Sequence, residues 1–134
     1  FSREPLLGDW DVDQLRQVFV NVVANAIDAS GDGESIKIST QPARSPQNET
    51  VGGNGNHGTD RKSVARIIIE DHGTGMDEST LSRLFEPFFT TKKRGTGLGL
   101  AIVKKIIDHH QGTISAESSP GNGTRFTIDL PRKA

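Results

Sequence analysis

Apolar residues recur at helical spacing in two long segments of this chain and at strand spacing in four others, in the order helix, strand, strand, a mixed segment with a short helical pattern (Leu81, Leu84, Phe85), helix, strand, strand. Between Asp11 and Ser30 the positions Leu15, Val18, Phe19, Val22, Val23, Ala26 and Ile27 follow the i, i+3, i+4, i+7 pattern of an amphipathic helix. Asp11 and Asp13 sit in its first turn, where acidic groups complement the helix dipole, and Gly31 supplies a stop. A second helix is expected from about Gly97 to Gln111, with Ile102, Val103, Ile106 and Ile107 on one face and Gly112 ending it. Ser35 to Thr40 alternates at period two and Ala65 to Glu70 is a short apolar run, the more buried strand of a long hairpin. Two closing strands, Thr113 to Glu117 and Thr124 to Leu130, flank the turn Ser119-Pro120-Gly121-Asn122-Gly123. A chain of this order buries its apolar stripes as an α+β sandwich, with helices on one face of a sheet.

Only 32% of the 134 residues are hydrophobic, low for a packed domain, and the deficit is concentrated. Residues Gln41 to Ser63 hold almost no large apolar side chain, so this stretch cannot offset its ordering entropy and is expected to be a loop or disordered insertion. Without it, roughly 110 residues remain, a usual size for a single core. The 16 Lys and Arg balance 17 Asp and Glu, a net charge of −1 that offers no electrostatic footprint for nucleic acid or for direct contact with an anionic membrane. Cysteine is absent, which excludes disulfides, thiolate zinc sites and thiol nucleophiles and gives no sign of an oxidising compartment. No apolar run approaches the roughly 20 residues of a membrane span. A cytoplasmic location is the expectation, and a chain that begins at Phe1 is expected to be part of something longer.

Two glycine clusters carry the first chemical signal: Asp71-His72-Gly73-Thr74-Gly75 after the buried strand, and Gly95-Thr96-Gly97-Leu98-Gly99 opening the second helix. Glycine turns let backbone N–H groups approach a phosphate, and a helix N-terminus adds a favourable dipole. Neither cluster is a P-loop or a dinucleotide fingerprint, because the lysine and the third glycine of those motifs are missing. On the first helix Asn21, Asn25 and Asp28 lie at i, i+4 and i+7, one stripe of oxygens that suits a hard cation such as Mg²⁺. Taken singly, each cluster is more simply a turn or helix start, and the polar stripe a solvated face.

The set taken together is specific. Asn25 within N-V-V-A-N-A-I-D-A, then D-H-G-T-G-M from Asp71, L-F-E-P-F-F-T-T-K from Leu84 and G-T-G-L-G-L-A-I-V from Gly95 resemble, in order, four boxes of the ATP-binding catalytic domain of sensor histidine kinases. That domain belongs to the superfamily that also holds gyrase, Hsp90 and MutL. The resemblance spans about Asp9 to Pro131 apart from the insertion, and the F-F-T-T-K wording is similar to the nitrogen-regulation type. It implies the Bergerat ATP-binding fold, a two-layer α/β sandwich whose mixed sheet is covered on one face by helices. It also implies residue roles. Asp71 would accept a hydrogen bond from the adenine amino group, with Gly73 and Gly75 turning the chain under the base. Asn25 would coordinate Mg²⁺, and Asn21 would contact the phosphate and metal region. Gly95, Gly97, Leu98 and Gly99 would cradle the phosphates, and Thr124 would support Asp71 or an ordered water near the base. Residues 77–96 would form a lid over ATP that contains Phe85 and Phe88. Its cations Lys92, Lys93 and Arg94 would meet the triphosphate or form a solvated basic turn.

The implied activity is binding of Mg²⁺-ATP and transfer of its γ-phosphoryl group to a His on a separate dimerisation domain, from which a response regulator would be served indirectly. Two departures bear on it. Asp28 stands where many sensor kinases carry Lys, so its role is open. Asn21 stands where the hydrolytic relatives place a water-activating Glu, and an amide cannot serve as a general base at neutral pH. None of His57, His72, His109 and His110 lies in an acceptor-type sequence, so the acceptor is expected elsewhere. The rival readings are a hydrolytic ATPase switch or an anti-sigma-type serine kinase, and a non-catalytic nucleotide-sensing module.

Overall fold

The computed structural model describes residues 2–44, 63–89 and 98–132. Its elements run α1 (Val12–Ala29), β1 (Lys37–Arg44), β2 (Ser63–Glu70), α2 (Glu78–Ser82), α3 (Gly99–His109), β3 (Thr113–Ser118) and β4 (Thr124–Pro131). Asp11 caps α1 by accepting from the Gln14 N–H, one turn ahead of the first buried side chain. β1 continues to Arg44 and β2 begins at Ser63, so the hairpin takes five residues from the segment read as an insertion. The remainder of that segment, 45–62, lies outside the described residues.

The four strands form one sheet in the order β1-β2-β4-β3. Pro42, which has no N–H to donate to a ladder, is tolerated because β1 is an edge strand of the described sheet. All three described pairings are antiparallel, in place of the mixed sheet expected from the resemblance. The reason is topological. The chain leaves β2 through α2 and α3 and returns in β3 parallel to β2, but β4 folds back between the two and separates the parallel pair.

Side chains alternate across the sheet, and one face carries the core. Ile67 and Ile69 of β2, Phe126, Ile128 and Leu130 of β4 and Ile114 of β3 meet Leu15, Val18, Val22 and Ala26 of α1 and Val103 and Ile107 of α3. Ile27 and Ile102 fall on the apolar stripes by spacing, yet Ile27 is 59% exposed and Ile102 is 39% exposed. Each lies at the margin of its helix's buried face, where a helix resting on a sheet no longer touches it. The opposite sheet face is polar. The register aligns Lys37, Glu70, Arg125 and Glu117 in one row of alternating charge, with Arg125 paired to Glu70 at 2.6 Å. Arg66 and Asp129 form a two-pronged ion pair at 2.8 and 2.9 Å on the same face, which holds the guanidinium of Arg66 above its ordinary value.

The short α2 is entered through a cap. Asp77 Oδ1 accepts from the Thr80 N–H at 2.7 Å, and that hydrogen bond holds the carboxyl below its ordinary value of 3.8. A depressed carboxyl stabilises the folded state above its unfolded value and loses that contribution as pH falls through the folded one. The Thr80 amide is therefore expected to be protected from exchange above about pH 4 and to lose protection below it, while Asp77→Asn, which has no carboxyl to titrate, shows no such step. A pH series of amide-exchange spectra checks this.

Candidate functional site

Asp71, Gly73 and Thr124 meet where β2 and α1 end and β4 begins, and the start of α3 is joined to the middle of α1. Asp71 follows β2 directly and is buried. It extends the ladder: its N–H donates to the Thr124 carbonyl at 2.9 Å. Its Oδ1 accepts from the N–H groups of Gly73 at 2.9 Å and Thr124 at 3.2 Å. Two backbone amides thus clamp one carboxylate oxygen, and no hydrogen bond to Oδ2 occurs among the described residues. A fixed carboxylate with one oxygen to spare can accept a hydrogen bond from a ligand donor.

The first glycine cluster is wedged between two backbones. A Cβ on Gly73 would overlap the Ala29 carbonyl at the end of α1, which also accepts from the Thr74 N–H at 3.3 Å. Gly75 has φ +70°, and a Cβ there would overlap the Ser119 carbonyl. The turn before β4 is packed as tightly from its own side: Gly123 has φ +71° and its Cβ would overlap the Asp71 carbonyl. The loops interlock further, since the Gly121 N–H donates to the Thr74 carbonyl at 2.8 Å. Only glycine permits these approaches, which set the depth of the corner beside Asp71.

Thr124 was expected to support Asp71, and it does so through its backbone N–H; its hydroxyl goes to Ser118 Oγ at 2.9 Å. Sequence reasoning missed Ser118. Its Oγ also accepts from the Met76 N–H at 2.8 Å and donates to the Gly123 carbonyl at 2.8 Å. The available signal was positional: Ser118 ends β3 and pairs with Thr124 across the turn.

Asn21 Nδ2 donates to the Gly99 carbonyl at 3.1 Å, so the side chain ties the middle of α1 to the first residue of α3, and Gln17 donates to its Oδ1 at 3.4 Å. Asn25 lies one turn further along α1 and is half-buried. At Leu98 the chain enters α3 with no side-chain cap, and the first intrahelical bond of that end is donated by Ile102 to the Leu98 carbonyl. A helix start without a side-chain cap is the local arrangement that accepts an anion. Lys92, Lys93, Arg94, Gly95 and Gly97 lie outside the described residues.

Of the segment expected to form a lid, residues 77–89 are described. Leu81, Leu84 and Phe85 rest against the core, and Arg83 lies 4.6 Å over the ring of Phe89. Phe88 stands apart from them, 76% exposed and with φ +66°. At the far end of the sandwich His110 is occupied structurally. Its Nε2 accepts from the Asp11 N–H at 3.0 Å, which leaves Nδ1 as the donor to the Ile106 carbonyl at 2.8 Å. Among the described residues no three His, Asp or Glu side chains converge to hold a metal, and no helix is long and apolar enough to cross a membrane.

Comparison with known proteins agrees with this geometry. Residues 10–134 match the family described as histidine kinase-, DNA gyrase B- and HSP90-like ATPase. The chain is 44% identical over 119 residues to sporulation kinase E of Bacillus subtilis, covering 89% of this chain and 14% of that protein. It is 39% identical over 130 residues to the sensory histidine kinase/phosphatase NtrB of Rhodobacter capsulatus, covering 97% of this chain and 34% of that one. The chain therefore spans between 14% and 34% of these relatives' length. Among solved structures, the catalytic domain of histidine kinase ThkA superimposes with a TM-score of 0.68 at 34% identity, over 92% of this chain and 69% of that one. With the family model matching residues 10–134 and the four boxes in order, the chain belongs to the histidine kinase-, DNA gyrase B- and HSP90-like ATPase family and is a histidine-kinase-type catalytic domain.

Proposed function

We propose that this domain binds Mg²⁺-ATP at the end of the sandwich formed by Asp71, Thr124, α1 and the start of α3, and that it transfers the γ-phosphoryl group to a histidine on a separate dimerisation domain of its parent protein. The observation that carries the reading is the clamped Asp71 carboxylate with Oδ2 left to a ligand donor, on the same end of the fold as the helix start of α3 that lacks a side-chain cap.

In this reading Asp71 accepts from the adenine amino group, and Gly73 and Gly75 let the base lie against backbone. Leu98 and Gly99, with Gly95 and Gly97, offer amides to the phosphates, and Lys92 adds a cation. Asn25 is the metal ligand on α1. Asn21 acts chiefly by holding α3 in register with α1, since its amide nitrogen is engaged with Gly99. The donor set fits Mg²⁺: side-chain amide oxygens on one helix stripe suit a hard cation that takes few protein ligands and keeps phosphates and water. When bound, the metal neutralises charge on the phosphates. The protein's share of the transfer is positioning, the main device in phosphoryl transfer.

The reaction moves the γ-phosphoryl group from ATP to an imidazole nitrogen and releases ADP. The absence of a general base at position 21 favours a protein acceptor over water. A response regulator would be the next acceptor, and the location would be cytoplasmic. The test is incubation with ATP labelled in the γ-phosphoryl group together with the parent's dimerisation domain. The expected outcome is an acid-labile, alkali-stable label on that domain, reduced at least about tenfold by Asn25→Ala. Steady release of inorganic phosphate with no labelled acceptor would instead establish a hydrolytic switch. ATP binding with neither product would establish a nucleotide-sensing module.

A further inference from the structure

Ser118 has no assigned role, yet it is bonded to both loops that form the corner beside Asp71. Its hydroxyl has one hydrogen and two lone pairs. Three partners surround it: the Met76 N–H at 2.8 Å, the Gly123 carbonyl at 2.8 Å and Thr124 Oγ1 at 2.9 Å. The Met76 amide can only donate and the Gly123 carbonyl can only accept. Ser118 therefore gives its one hydrogen to Gly123, and its second lone pair takes the hydrogen of Thr124. The Thr124 hydroxyl is left with lone pairs alone.

We infer that Ser118 is a specificity-setting positioning residue, which fixes the Thr124 hydroxyl as a hydrogen-bond acceptor and so makes the polar wall of the base corner acceptor-only. Asp71 and Thr124 both lie on the helix-facing side of the sheet by strand alternation, joined through the Thr124 N–H and Asp71 Oδ1 at 3.2 Å. A carboxylate oxygen beside a hydroxyl that can only accept complements an exocyclic amino group, directly or through a water that both orient. It opposes a carbonyl oxygen at the same place, because sites built of buried polar groups reject analogues that leave those groups unpaired.

The inference rests on the proposed adenine site, and the test separates the two. Affinities for ATP and for inosine triphosphate, which carries a carbonyl in place of the amino group, are measured by calorimetry on the full 134-residue chain. The wild type is expected to prefer ATP at least about tenfold, and Ser118→Ala to narrow that preference to about threefold or less. Ser118→Thr, which keeps a hydroxyl, should restore it. Thr124→Val should narrow the preference as Ser118→Ala does, with no further narrowing in the double variant. A merely structural Ser118 would weaken both nucleotides equally and leave the ratio unchanged, and a folded Ser118→Ala with the wild-type ratio overturns the inference. If Ser118→Ala does not fold, Thr124→Val decides: an unchanged ratio overturns the inference and a narrowed one upholds it. A wild type with no preference for ATP overturns the adenine site itself, and the role of Ser118 with it.

Discussion

Asp71→Asn is expected to weaken ATP binding about a hundredfold, close to 2.7 kcal/mol, while leaving the fold largely intact. The amide oxygen can take over the place of Oδ1 between the Gly73 and Thr124 N–H groups, so the backbone clamp survives. What changes is the other arm. An NH₂ group replaces Oδ2 and presents donors to a ligand that also presents donors, and a buried pair of unmatched donors costs a few kcal/mol. Calorimetric titration with ATP measures the loss, and far-UV circular dichroism checks the fold. If Asp71→Asn bound ATP as tightly as the wild type, Asp71 could not be the adenine contact.

Gly73→Ala is expected to destabilise the fold strongly through close approach alone, since Gly73, unlike Gly75 and Gly123, has no positive φ. The added methyl group overlaps the Ala29 carbonyl, a backbone atom at the end of α1 that cannot swing aside. Relief requires moving the loop off the helix, at a cost of about 3 kcal/mol or more and a fall in Tm of roughly 10 °C. Gly33 supplies the control. Unlike Gly73 it has a positive φ, +82°, but nothing lies within 4 Å of its added Cβ, so Gly33→Ala carries only backbone strain of about 1–2 kcal/mol. Thermal melts of the two variants separate close approach from dihedral strain.

The elements were legible because each has a strong local period. α1, expected from Asp11 to Ser30, runs Val12–Ala29 with Asp11 as its cap, and the last two strands begin at the expected residues Thr113 and Thr124. Features that depend on pairing between distant segments were less legible. Ile27 sits on the apolar stripe of α1 by spacing, yet it is exposed while its neighbour Ala26 is buried, because which part of the stripe is covered depends on how the helix rests on the sheet. Strand order is not encoded in any one strand, so the insertion of β4 between β2 and β3 came only with the fold.

The candidate site divides the same way. Asp71, Gly73 and Gly75 stand in one hexapeptide that by itself reads as a turn after a buried strand, and their expected roles came from its place among the four boxes. Ser118 was invisible, since a serine beside a turn has an ordinary local explanation and its partners Met76 and Thr124 are joined only by tertiary structure. Asn21 was expected at the phosphate and metal region from the resemblance; its side chain holds the Gly99 carbonyl at the start of α3, a tertiary contact that no local pattern announces. Lys92, Gly95 and Gly97 rest on the four-box resemblance alone.

Amide chemical-shift mapping during titration with Mg²⁺-ATP tests most directly whether one end of the sandwich forms a single nucleotide site. A single site there is expected to give saturable shifts clustered at Gly73, Gly75, Leu98, Gly99 and Thr124, with the outer-face residues Lys37, Arg66 and Glu117 unmoved. Shifts centred on the outer sheet face, or none at saturating Mg²⁺-ATP, would contradict it.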